Sequence, residues 1–275
     1  LRELNGARGE PRSFDRLEAL LEDQGYRLCH WRVAAEEINY RRFFDVNDLA
    51  AIRVEEPEVF AAVHELPLQM VYEGLCTGLR IDHVDGLYDP RGYLFALRAA
   101  CAPAEPYLVV EKILLGDEAL PPSWPVQGTT GYDFAALLNG VLCEPRGARE
   151  LLALYRERCV GLLGVLPRYP EVVYQCKRLI LETSLASELH VLTTRLARIA
   201  ARQRLARDFT FNSLEGALAE VIACLPVYRS YLTPDALPQR GDDRNRGAVL
   251  LALQEARRRN PTQSRTLYDF IGTLL

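Results

Sequence analysis

The chain has no apolar run approaching the roughly 20 residues needed to cross a bilayer, so a membrane-spanning helix is not expected. It also lacks a surplus of positive charge. Its 33 Lys and Arg stand against 37 Asp and Glu, a formal charge of −4, which argues against binding to a nucleic-acid backbone. The seven cysteines are odd in number and include no C-x-x-C pair, and His30, His64, His83 and His190 show no H-x-x-x-H spacing. No metal or other cofactor is therefore expected, and the cysteines read as reduced core residues of a cytoplasmic protein. There is no internal repeat and no low-complexity stretch. Residues 1–12 carry neither a Met start nor the apolar core of a signal peptide, and Leu267 to Leu275 stop inside an apolar helical pattern. Both ends read as boundaries within something longer.

What is present is ample for folding: 275 residues, 49% of them apolar, can bury a sizeable core. Ser13 is expected to cap a helix with Phe14, Leu17, Leu20 and Leu21 on one stripe, closed near Gly25, followed by a short strand or extended piece from Tyr26 to Trp31. From Arg32 to Val54 the pattern predicts a long loop loaded with charged and aromatic residues. Pro57 opens a helix towards Tyr72, with Val59, Phe60, Val63 and Leu66 inward and Pro67 as a kink or break. Asp89-Pro90 supplies the cap and first residue of another helix, through Arg98.

That last helix separates two short apolar strands, Leu79 to Asp82 and Tyr107 to Lys112, making a βαβ unit of parallel, right-handed sense. In such folds the active site lies at the C-terminal strand ends, where these strands carry charge. By alternation Arg80 and Asp82 share one face, as do Val109 and Glu111. Two carboxylates meeting at one rim, one ionised beside an arginine and one in a drier setting, suit general acid/base chemistry on a glycosidic bond. From the βαβ unit alone, a simple buried Arg80–Asp82 ion pair with Glu111 as a strand-end charge is the favoured reading of the same residues.

Beyond Phe134 nearly everything is helical in period: 148–163, 171–181, 187–207, 214–225 and 248–258, with Asn212 and Glu215 resembling a capping box and Leu232 to Asn245 as a loop. The fold class expected is α/β leaning to mainly α: residues 1–135 as part of a (β/α)8 barrel, and 136–275 as a mostly helical subdomain. Trp31 and Trp124 serve as sugar-stacking or core residues.

The strings EINYRRFFDVNDLAAIRVE, GLRIDHVDGLYDPRGYL, YLVVEKIL and LPPSWPVQGTTGYDF, in that order, with IACLPVYRSYL later, resemble the maltooligosyltrehalose synthase family of the α-amylase superfamily. The resemblance implies an intramolecular transglucosylase that turns the reducing-end α-1,4 bond of a maltooligosaccharide into an α,α-1,1 bond. It implies Asp82 as nucleophile, Glu111 as general acid/base, and Arg80 as the group that orients and ionises Asp82. His83 and Asp85 are expected at the glucan-binding rim, with Tyr40, Arg41, Arg42, Phe44, Tyr132 and Asp133 as hydrogen-bonding and stacking groups. The superfamily's earlier Asp/His strand motif has no match before Asp82, and its third carboxylate is expected beyond Leu275. The implied whole is thus a middle portion with little activity alone. The alternatives are an α-glucan hydrolase or transglycosylase with the same carboxylates, and a non-catalytic carbohydrate-binding piece.

Overall fold

The computed structural model describes residues 4–116, 118–163, 168–232 and 242–275. A 3-10 turn at Pro11–Phe14 runs into α1 (Asp15–Glu22). Ser13 does not cap that helix. Its hydroxyl accepts the Ala7 N–H at 2.7 Å and donates to the Glu10 carbonyl, tying off the preceding turn. The expected strand at 26–31 makes no pairing, and Trp31 begins a second 3-10 turn leading to α2 (Ala34–Glu37). The expected loop that follows contains an antiparallel hairpin, β1 (Arg42–Phe43) and β2 (Val46–Ala50), in which Arg42 pairs with Ala50 and Phe43 with Val46.

α3 (Pro57–Tyr72) begins on its proline as expected, and Pro67 does not end it. Its inward face differs from the periodic reading. His64 and Val71 are buried while Val63 and Leu66 are exposed, because the imidazole finds partners in the Phe60 carbonyl and the Tyr93 hydroxyl, each at 2.8 Å. β3 (Gly78–Ile81), α4 (Pro90–Ala100) and β4 (Tyr107–Val110) form the predicted βαβ unit, and the Asp89 carboxylate accepts the Gly92 N–H at 2.9 Å as the cap. β5 (Gly128–Thr129) adds a third parallel strand in the order β3-β4-β5. Among the described residues the sheet has these three strands and does not close into a barrel.

Among the described residues all strands precede residue 130. After them come α5 (Tyr132–Leu142), α6 (Pro145–Leu163), α7 (Tyr169–Glu182), α8 (Ala186–Arg202), α9 (Phe211–Ala223), α10 (Asp242–Arg259) and α11 (Arg265–Gly272). α9 is the hub, touching α7, α8, α10 and α11, and its Ala217, Ala219 and Ala223 are buried where neighbours approach closely. Its cap is Thr210, whose hydroxyl accepts the Ser213 N–H at 3.2 Å. Asn212 lies inside the first turn, so the expected box does not form and the cap lies two residues earlier. Residues 233–241 of the expected loop lie outside the described residues, and 242–245 already belong to α10.

Two cores result. One is built from α8 to α11 around Leu214, Leu267, Tyr268 and Ile271. The other lies under the sheet, where Val84, Leu94, Leu97, Leu108 and Val110 are almost wholly buried, each aliphatic side chain contributing about 1.5–3 kcal/mol over its exposed state. Trp124 is part of this second core, stacked edge-on against Tyr231, whereas Trp31 lies exposed. Of the cysteines only Cys101 is buried, and Cys29, Cys143 and Cys176 are exposed. The expectation of core cysteines holds for one position, and all seven are free thiols.

Candidate active site

β3 and β4 run in register, with Gly78 beside Tyr107 and Ile81 beside Val110. The next residues, Asp82 and Glu111, therefore leave the sheet at one level on adjacent strands, and the Glu111 N–H continues the ladder to the Ile81 carbonyl at 2.8 Å. Leu108 and Val110 enter the core, which turns Val109 and Glu111 the other way. The Arg80 guanidinium lies between the two acids. One Nη bonds Asp82 and the other is 3.1 Å from Glu111 Oε1. Glu111 Oε2 accepts the backbone N–H of His83 at 3.0 Å. Two carboxylates from neighbouring strands thus lie within the span of a single guanidinium.

Their settings differ. The Asp82 side chain is 60% exposed and that of Glu111 25%, so one acid is open to a ligand and the other is drier. The hydrogen bond from Arg80, above all, holds the Asp82 carboxyl below the usual carboxylate range. Asp82 therefore stays ionised as pH falls through the range where an ordinary aspartate protonates. Replacing Arg80 by Gln is expected to return that titration to ordinary values, moving the protonation of Asp82 to higher pH. Carboxyl-carbon NMR of labelled aspartate checks it, and an unmoved Asp82 titration contradicts the assignment of Arg80 as the ionising group.

The turn after β3 is shaped by glycine. His83 sits in the left-handed region at φ 44°, and a Cβ on Gly86 would lie 2.3 Å from His83 Cδ2, so only glycine lets the ring fold over the turn. Phe44, at the hairpin tip, is also left-handed at φ 52°, and its ring lies 4.4 Å from the imidazole. Such backbone is costly for non-glycine residues and concentrates where a rim must be held in shape. Phe43 and Phe44 pack on His83, and the Arg41 guanidinium donates to the Gly86 carbonyl. Between hairpin, turn and the α7–α8 junction lies a cavity of about 930 Å³ lined by Arg41, Phe44, Leu49, Asp82, His83 and Tyr228.

Not every expected residue faces this space with free groups. All five donor hydrogens of Arg42 are taken: by Glu188 through two nitrogens at 2.9 and 2.7 Å, by Asn47 Oδ1, and by the Asp45 and Ser184 carbonyls. Its side chain is 2% exposed. Arg42 is a clamp between hairpin and α8, a correction to its expected place as a sugar donor, since a guanidinium with no spare hydrogen offers none to a ligand. Asp85 borders the cavity as expected, but its carboxylate is already bonded by Lys112 at 3.2 Å and by the Tyr231 hydroxyl. Tyr40 donates to the Asn47 carbonyl at 2.8 Å and remains exposed. Tyr132 is exposed at the start of α5, and Asp133 accepts from the Thr129 hydroxyl at 2.6 Å, which together with backbone N–H groups holds its carboxyl below the usual range.

Sequence reasoning missed Lys112, Tyr228, Arg229 and Tyr231. Tyr228 places its ring 6.5 Å from His83, and burial raises its hydroxyl's pKa. Arg229 donates to the Asp85 and Leu87 carbonyls at 2.9 and 2.6 Å. Tyr228, Arg229 and Tyr231 lie in the string IACLPVYRSYL and Lys112 in YLVVEKIL, and neither string carries a sign of the contact between the 228–231 segment and the βαβ unit. The remaining histidines are structural: His30 accepts the Arg32 N–H, His64 is buried and bonded, and His190 is exposed. Among the described residues no group of His, Cys, Asp and Glu has the geometry of a metal site, and no helix is long and apolar enough to cross a membrane.

Parallel strands ending in an arginine-bridged carboxylate pair, followed by a helical region, place the chain with amylase-type α/β enzymes. No family model matches it. A Mycobacterium tuberculosis protein named maltooligosyl trehalose synthase is 36% identical over 211 residues, 77% of this chain and 26% of that protein. The solved maltooligosyltrehalose synthase of Arthrobacter ramosus is 37% identical with a TM-score of 0.76, covering 97% of this chain and 31% of the other. A glycosyltrehalose synthase designated DSM5389 is 31% identical with a TM-score of 0.67, over 88% of this chain and 29% of its own. Over this matched stretch the chain belongs with the maltooligosyltrehalose synthases, and it spans about a quarter of the length of the curated relatives it matches.

Proposed function

We propose that this site belongs to an intramolecular transglucosylase that converts the reducing-end α-1,4 bond of a maltooligosaccharide into an α,α-1,1 bond, giving maltooligosyltrehalose. The observation that carries the reading is the single guanidinium shared by Asp82 and Glu111 at adjacent strand ends. In the proposed sequence Glu111 gives its proton to the last glycosidic oxygen as Asp82 attacks the anomeric carbon, forming a glycosyl-enzyme and freeing glucose. The glucose turns over in the cavity, Glu111 takes the proton of its anomeric hydroxyl, and that oxygen displaces Asp82. Exclusion of water decides between transfer and hydrolysis. The hairpin wall of Phe43 and Phe44 supports this, with Arg41, His83, Tyr40, Tyr132 and Asp133 proposed to hold the glucan.

In this reading residues 1–135 supply barrel strands, 136–275 a helical subdomain, and the free thiols fit a reducing cytoplasm. Because the match covers about a quarter of the curated relatives' length, the 275-residue chain alone is expected to leave maltopentaose unconsumed. Sustained turnover by the isolated chain contradicts that expectation. The reaction itself is tested by building this stretch into the Arthrobacter ramosus enzyme in place of its counterpart and analysing products. Non-reducing trehalosyl ends support the reading, and only glucose and maltose favour a hydrolase.

A further inference from the structure

Lys112 is one of only two lysines in the chain and is completely buried. Its ammonium lies 3.2 Å from Asp85 Oδ2 and 2.8 Å from Glu118 Oε1, and 5.6 Å from the centre of the Tyr231 ring. The other oxygen of Asp85 accepts a hydrogen bond from the Tyr231 hydroxyl, and Arg229 lies over the opposite end of the cluster, 5.2 Å from the same ring. Two cations and two carboxylates thus balance, with a tyrosine between them. Burying charge in this way contributes little net stability compared with apolar packing, so the cluster is better explained by what it orients.

Two of its members lie one and three residues from the reactive pair. Lys112 follows Glu111 directly, and in extended chain the two side chains point to opposite sides. The peptide between them cannot turn without breaking either the Lys112 contacts or those of Glu111 with Arg80 and the His83 amide. Asp85, gripped by Lys112 and Tyr231, sits in the 3-10 turn Val84–Gly86 whose cap is His83. The same cluster therefore fixes both ends of the His83 N–H to Glu111 hydrogen bond, and it does so from the 228–231 segment, outside the βαβ unit.

We propose that Lys112, Asp85 and Tyr231 are positioning residues: a latch, closed by the helical half of the chain, that holds the Glu111 carboxylate against the His83 amide. Its catalytic meaning rests on Glu111 being the acid/base; the geometric claim does not. The groups facing Glu111 are Arg80, Asp82 and the His83 N–H, and those facing Lys112 are Asp85, Glu118 and Tyr231.

Labelling with 15N-histidine gives four backbone amides, one of which is His83. Its shift is expected to follow the titration of Glu111 and to lose that response in Glu111→Gln. In Tyr231→Phe, which removes a single hydroxyl, and in Lys112→Met, the pH-linked shift is expected to fall by about half or more, with the other three amides unmoved and Lys112→Arg recovering part of it. Should Lys112→Met fail to fold, Tyr231→Phe decides. A full response in folded Tyr231→Phe, or an equal loss at all four amides, overturns the latch. No glucan enters this measurement, so failure of the latch and failure of the transglucosylase reading are seen separately.

Discussion

Glu111→Gln is expected to lower kcat/KM for maltopentaose by about 10²–10⁴-fold, or roughly 3–5 kcal/mol of transition-state stabilisation, once this stretch is carried in the Arthrobacter ramosus framework. Glutamine can still accept the His83 N–H and keeps the shape of the side chain, but it has no proton to give to a glycosidic oxygen. The loss should therefore depend on the leaving group. A maltooligosyl fluoride, whose fluoride departs without protonation, should form the glycosyl-enzyme nearly as fast as with the unaltered protein. It should then stall, because the second step needs a base. Equal losses on both substrates contradict the acid/base assignment and leave Glu111 as a partner that merely shapes Arg80.

Glu188→Ala is expected to cost about 3–5 kcal/mol of folding stability, read from urea unfolding, because it strands a guanidinium that is 2% exposed. The remaining acceptors of Arg42, the Asn47 side chain and the Asp45 and Ser184 carbonyls, do not neutralise its charge. Glu188→Gln should cost less, since one oxygen still accepts. The hairpin that forms one wall of the cavity is held to α8 by this clamp, so both substitutions should also loosen the wall before the core melts. A change below about 1 kcal/mol for Glu188→Ala, the range of an exposed pair, contradicts the clamp.

What could be read from the sequence was local. β3 and β4 announced themselves by apolar runs ending in charge, and Asp89-Pro90 announced a helix start, because alternation and capping depend only on neighbours. The pairing of Asp82 with Glu111 followed from the βαβ rule. The internal bonds of Arg42 and Asp85 are illegible for the opposite reason: their partners, Glu188 and Tyr231, are each 146 residues away. No period or motif in the RRFFD or HVDG strings marks such a contact. Periodicity alone places Val63 and Leu66 inward, whereas the bonds available to His64 decide the face of α3. The hairpin within 42–50 escaped because its strands are short and its turn depends on Phe44 adopting a conformation that phenylalanine rarely takes.

The central claim is that Asp82 attacks the sugar while Glu111 serves the oxygen. Its most direct test is to treat the Arthrobacter ramosus enzyme carrying this stretch with a fluorinated maltooligosyl fluoride, which slows release of the glycosyl-enzyme, and to locate the label by peptide mass spectrometry. The account predicts one sugar adduct on the peptide containing Asp82, absent in Asp82→Asn. An adduct on Glu111 or on any other carboxylate, or an undiminished adduct in Asp82→Asn, contradicts it.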